Sequence, residues 1–237
     1  MKWFLSFSII FLLLFSCNKK TAIQKEALKT KTVANFEING TFENFYPKKV
    51  YLNKIIENRL YPIDSAIVLK NKFNFKGIVT YPERFAFTYE SSALSTILII
   101  ENKSFQIQLN GRDLQEPIII NSPLNTELEV YKTNSKNIFK KIDFLFPQFQ
   151  KARLENDADK LFEIEKKMKA IENEFTKFTF NYIQQNNTSF ISAMLLRDQL
   201  KVSKIDSLKI SKLYKNLSSE VKNSPDALIV ADYLKLH

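Results

Sequence analysis

The 237-residue sequence holds one cysteine, one histidine, one tryptophan and three glycines. A lone cysteine, Cys17, has no partner for an intrachain disulfide and forms no Cys-x-x-Cys pair for thiol redox chemistry. The histidine is the last residue, His237, where nothing would restrain a catalytic imidazole. Ser-His-Asp, Cys-His and histidine-rich zinc sites are thereby excluded. The glycines are Gly40, Gly77 and Gly111, and none follows Arg112. Because glycine supplies positive-φ turns, the first half is expected to be turn-rich and the second helical.

What is present begins with an apolar run from Trp3 to Phe15, broken only by Ser6 and Ser8 and preceded by Lys2. A membrane-spanning helix needs about 20 apolar residues at about 1.5 Å each, so this run is short. A positive start, a short apolar stretch and a small residue at its end describe a secretory signal peptide. The stretch Leu14-Phe15-Ser16-Cys17 resembles the lipobox of bacterial lipoproteins, which are cut before the cysteine and carry diacylglycerol on its thiol. Ser16 fits that pattern, and Phe15 is bulkier than usual. The alternative is an ordinary cysteine in an uncleaved signal anchor. The expected organisation is a signal peptide over 1–16 and a lipidated Cys17 with a basic tether over 17–32. An antiparallel β-domain follows over 33–122, then a helical region over 123–237. The tether carries Lys19, Lys20, Lys25, Lys29 and Lys31 against Glu26. Near an anionic bilayer each lysine adds about 1 kcal/mol of attraction; in the other reading the lysines are simply solvated.

Composition supplies a core: the chain is 45% hydrophobic, with 21 phenylalanines and 9 tyrosines. The net charge of +10 is spread rather than clustered. Lysines pair at Lys48-Lys49, Lys140-Lys141 and Lys166-Lys167, while Arg59, Arg84 and Arg112 sit singly. With export, this describes a solvated surface rather than a nucleic-acid site.

Period-two alternation runs through the first half. Phe36 and Ile38 share a face, as do Val50 and Leu52, Phe73 and Phe75, and Phe105, Ile107 and Leu109. Strands this short and evenly spaced predict an antiparallel sandwich or open barrel, with Asn39-Gly40 and Asn110-Gly111 as turn signals. Tyr81-Pro82 belongs at a strand start, and Asp64-Ser65 at a strand or bulge position with local hydrogen bonding.

The period changes at Ser122-Pro123, which reads as a helix cap followed by a first-turn proline. Pro147 is expected to kink or end the helix that follows. Asn156 or Asp157 caps the next one. Its apolar residues Leu161, Ile164, Met168, Ile171, Phe175, Phe178 and Tyr182 fall at gaps of three and four. Such a stripe faces either the chain's own core or a second copy across a dimer seam. Further helices are expected over 188–200, 205–217 and 226–235. The fold class is therefore α+β.

The stretches FEING at 36–40, VYLNK at 50–54, YPIDSAIV at 61–68, KFNFKGIVTYPERFAF at 72–87, LIIENKSFQIQLNG at 98–111 and INSPLNTELEVY at 120–131 resemble a domain of unknown function. That domain occurs in exported, bacteroidete-type lipoproteins. There it precedes a thioredoxin-like domain of the thiol:disulfide interchange or peroxiredoxin-like class. The present sequence ends at Leu236-His237, about where that domain would begin, and lacks Cys-x-x-Cys, so the redox activity does not carry over. The resemblance also implies that Asp64-Ser65-Ala66 and Asp206-Ser207-Leu208 match a short O-glycosylation tripeptide, at Ser65 and Ser207, of a kind common by chance. Asn18-Lys19-Lys20 lacks the acidic run that directs some such lipoproteins to the cell surface, which points to the periplasmic face of the outer membrane.

The expected function is a membrane-anchored envelope lipoprotein. It would be a non-catalytic partner- or ligand-binding module without cofactor or metal. The alternative is an accessory to a thioredoxin-like redox system acting in trans. The expected partners are membrane lipid through acylated Cys17, an envelope protein that the resemblance makes thioredoxin-like, and a second copy through the 161–182 helix. Nucleic acid is not among them. An enzyme would have to use carboxylates such as Asp64, Glu101 or Asp113, and only with pKa values shifted by burial or pairing; no paired spacing demands it.

Overall fold

Apolar alternation builds eight strands before the switch of period at Ser122. They are β1 (Phe36–Glu43), β2 (Lys49–Ile56), β3 (Arg59–Ile67), β4 (Lys72–Gly77), β5 (Glu83–Tyr89), β6 (Ser92–Ile100), β7 (Ser104–Asn110) and β8 (Asp113–Ile120). Six helices follow: α1 (Pro123–Leu154), α2 (Ala158–Gln185), α3 (Phe190–Gln199), α4 (Ser207–Asn216), α5 (Ser219–Lys222) and α6 (Pro225–Leu234). The structure is a computed structural model and describes residues 34–202 and 205–236. The expected signal peptide 1–16, lipidated Cys17, tether 17–32 and terminal His237 lie outside the described residues. The described residues belong to one compact unit.

The strands form two four-stranded sheets, β4-β1-β7-β8 and β3-β2-β5-β6. This is the sandwich of the two expected architectures, since the sheets do not close into a barrel. Neighbours are antiparallel except β1 and β7, which run parallel with Ile38 opposite Phe105 and Phe42 opposite Leu109. The inward faces carry the residues the alternation predicts: Phe36, Ile38, Val50, Leu52, Phe75, Phe105, Ile107 and Leu109 are all buried. Rings fill the space between the sheets. Phe75 stacks on Phe87 at 5.4 Å between centroids, and Phe73 meets Phe87 edge-on at 5.4 Å.

Glycine plays a different part from the one expected. None of the three glycines has positive φ. Left-handed positions fall instead on Glu57-Asn58 between β2 and β3, on Lys70-Asn71 before β4, and on Asn44 and Asn121. Asparagine tolerates this region because its short amide bonds locally. Asn39-Gly40 is not a turn: it lies inside β1, with Gly40 opposite Phe73. A Cβ there would fall 2.0 Å from the Phe73 ring, so Gly40 supplies space rather than curvature. Asn110-Gly111 does sit at the β7–β8 turn.

Ser122 caps α1, its side chain accepting from the Asn125 N–H, with Pro123 in the first turn. Pro147 does not end the helix, which continues to Leu154. The lost backbone bond and the ring clash cost about 3 kcal/mol. Packing of Leu145, Phe149 and Ala152 against Ile164, Met168 and Ile171 of α2 offsets this. Asp157 caps α2 by accepting from Lys160 N at 2.9 Å. The α2 stripe faces the chain's own core. Its first half packs on α1, and Phe175, Phe178 and Tyr182 join the cluster formed with α3, α4 and α6. The four-residue α5 is too short to carry a helical period in the sequence. No helix among the described residues is long and apolar enough to cross a membrane.

Two devices dock the helices on the outer face of the β3-β2-β5-β6 sheet. Ile99 of β6 enters the helical core, and Arg84 of β5 reaches α3. The Arg84 guanidinium donates to both carboxylate oxygens of Asp198, at 2.7 and 3.0 Å, and to Met194 O at 3.3 Å. It stands 3.7 Å from Asp226 of α6, which also accepts from Arg197 at 2.8 Å.

Candidate functional site

The edge strands β6 and β8 lie side by side where the two sheets meet, linked by the Thr96 hydroxyl donating to Leu114 O. The first turns of α1 cross this gap. Between the three elements is a cleft of about 380 Å³, lined by Ile97, Ile118, Ile119, Asn125 and Leu128 with charged residues at its rim. Its volume is at the lower end of the range of ligand clefts. Ile97 is 52% and Ile118 60% exposed, although both are large and apolar.

Asn125 sets the chemistry of the cleft. Its buried amide accepts from Ile99 N at 2.8 Å and donates to Ile99 O at 2.7 Å, with a further bond from the amide to Ser122 Oγ at 2.7 Å. The side chain thus occupies the place of a peptide group on the open edge of β6. Backbone groups on an antiparallel strand alternate in direction. With Ile99 turned away from β5, Ile97 two residues earlier is turned the same way, toward the cleft. Its N–H and C=O have no cross-strand or side-chain partner among the described residues.

The rim charges are balanced. Glu116 of β8 accepts from Lys136 at 2.7 Å and from Lys132 at 3.3 Å, and Lys132 also reaches Glu129 at 3.2 Å. The bond from Lys136, then the charge of Lys132, hold the Glu116 carboxyl below its ordinary range against some desolvation. Glu116 in turn raises the Lys136 ammonium.

The carboxylates considered for acid–base work do other things. Asp64 lies exposed on β3 and accepts from Ser65 N at 2.7 Å. Glu101 accepts from Ser122 Oγ at 2.5 Å and from Leu124 N at 3.3 Å, supporting the start of α1. Asp113 opens β8, exposed. Among the described residues no three His, Cys, Asp or Glu side chains are grouped to hold a metal ion. The tyrosines Tyr89, Tyr131 and Tyr182 are pushed up chiefly by burial. They act as neutral hydroxyls, Tyr182 donating to Glu127. Ser65 and Ser207 are exposed, on β3 and in the first turn of α4. Arg84, noted in the sequence only as an isolated arginine, and Asn125 and Ile97, not singled out at all, hold the positions that matter most here.

Residues 36–128 match a family model described as a domain of unknown function, DUF4369. No curated protein and no solved structure matches the chain. The matched span begins with β1 and runs past Asn125 into α1. The part of this chain that matches DUF4369 is therefore the sandwich together with the helical turns that clamp its β6 edge.

Proposed function

We propose that the chain is a lipid-anchored, non-catalytic binding module of the bacterial cell envelope. Acylated Cys17 would hold it at the membrane, and the cleft between β6, β8 and α1 would take its partner. The observation that carries the binding half is the exposure of Ile97 and Ile118 around an open strand edge. Leu14-Phe15-Ser16-Cys17, directly after the apolar run, supports the anchor. One acyl chain binds only marginally, and the two or three of a mature lipoprotein bind stably. Fractionation of a Cys17→Ser variant tests the anchor: wild type stays with membranes and the variant moves to the soluble fraction. Equal retention would refute it. The resemblance of the matched domain to one that precedes thioredoxin-like modules supports a second reading, an accessory acting on such a protein in trans. No binding to exported thioredoxin-like proteins at tens of micromolar would remove that reading.

A further inference from the structure

Resting on the binding role just proposed, we infer that the partner is an extended polypeptide segment that adds as a strand to the free edge of β6. A sandwich of two open sheets has four edge strands, and exposed edges invite pairing unless they are blunted. Three of the four are blunted here. β3 carries Pro62, a register shift opposite Leu52 and Asn53, and Asp64 capping the Ser65 N–H. β8 carries Pro117 and Glu116. β4 is short and carries Lys72 and Lys76. β6, with the sequence SALSTILII, has no proline and no charge. Its edge is closed at Ile99 by the Asn125 amide and left open at Ile97.

The occupant follows from the chemistry of that edge. A donor and an acceptor recur every two residues, about 6.8 Å apart, and Asn125 shows that an amide satisfies one such pair. A peptide backbone repeats both groups at this spacing, as in strand addition. Charge complementarity adds that the occupant's side chains are uncharged. Glu116, Glu129, Lys132 and Lys136 already neutralise one another, and the floor is Ile97, Ile118 and Leu128. A second copy is the competing occupant, and its signature is a dimer held through Ile97.

The test uses the full-length chain in mild detergent and a short synthetic peptide of alternating valine and threonine. A version N-methylated at alternate residues serves as control. Hydrogen exchange at the Ile97 amide should slow by about tenfold with the plain peptide and stay unchanged with the methylated one. Thr126→Trp, which fills the cleft from the exposed side of α1, should abolish the effect while leaving Ile99 protected. Unchanged exchange at about 1 mM peptide, or equal slowing by both peptides, overturns strand addition. A dimer in sedimentation that Ile97→Lys disperses overturns it in favour of a second copy. None of these outcomes depends on Cys17, so failure here leaves the anchor to its own test.

Discussion

Replacing Arg84 tests whether one arginine fastens the helices to the sandwich. Arg84 is 24% exposed at its side chain, Asp198 34% and Asp226 4%. Removing one partner of a fully buried pair costs about 3–5 kcal/mol, and a surface pair contributes about 0–1 kcal/mol. Arg84→Ala lies between these limits. Asp198 can be rehydrated, and Asp226 keeps Arg197 at 2.8 Å, but Met194 O loses its donor and the arginine stem its packing. The expected loss is about 2–3 kcal/mol in urea unfolding followed by far-ultraviolet circular dichroism. Arg84→Lys should recover less than half, because an ammonium cannot reproduce the two-pronged contact with Asp198. The order of cost should be Asp226→Ala, then Arg84→Ala, then Asp198→Ala. Asp226 is the most deeply buried carboxylate and serves two guanidinium groups. A loss under about 0.5 kcal/mol for Arg84→Ala, a size ordinary for surface substitutions, would refute the reasoning, as would Asp198→Ala costing more than Asp226→Ala.

The remaining predictions concern the strand positions and the rim of the cleft. Gly40→Ala should destabilise by about 1–3 kcal/mol in chemical denaturation, because the new methyl meets the Phe73 ring within a packed cluster of Phe42, Phe73 and Phe87. A stabilisation, as expected for glycine replaced at an unconstrained strand site, would contradict this. Asn125→Ala leaves the buried N–H and C=O of Ile99 unpaired and should cost about 2–3 kcal/mol, with faster exchange at the Ile99 amide. Glu116→Gln should lower stability by about 0.5 kcal/mol near neutral pH. Since Lys136 and Lys132 depress the folded pKa of Glu116, its contribution is full above the ordinary carboxylate value of about 4.3 and is lost as pH falls through the folded value. The gap between wild type and variant in thermal unfolding should therefore close in acid; a gap that widens in acid would contradict the assignment.

How much of this was legible in the sequence depends on the range of the interaction. Alternation at Phe73 and Phe75 or Phe105 and Ile107 is local, and the inward faces follow from it directly. So do Ser122 and Asp157 as caps, because a cap bonds within three residues. The parallel pairing of β1 with β7 depends on closure over some sixty intervening residues, which no local pattern encodes. Gly40 misleads for the same reason: Asn-Gly is a turn signal locally, yet its partner is a ring more than thirty residues away. Pro147 misleads because its local cost is offset by packing on α2.

The cleft was invisible for a further reason. Its defining groups are a backbone N–H and C=O, which every residue but proline possesses, so no residue type marks them. What the sequence does show is an imbalance among edges: three strands bear proline, lysine or a capping aspartate, and SALSTILII bears none. That difference acquires meaning only once the topology identifies β6 as an edge. The clamp at Ile99 then separates a covered edge from an open one. A helix that merely shielded β6 would bring apolar side chains alone. Asn125 brings an amide, so at Ile99 the edge is satisfied by peptide-like chemistry, and two residues earlier Ile97 presents the same pair of backbone groups without one.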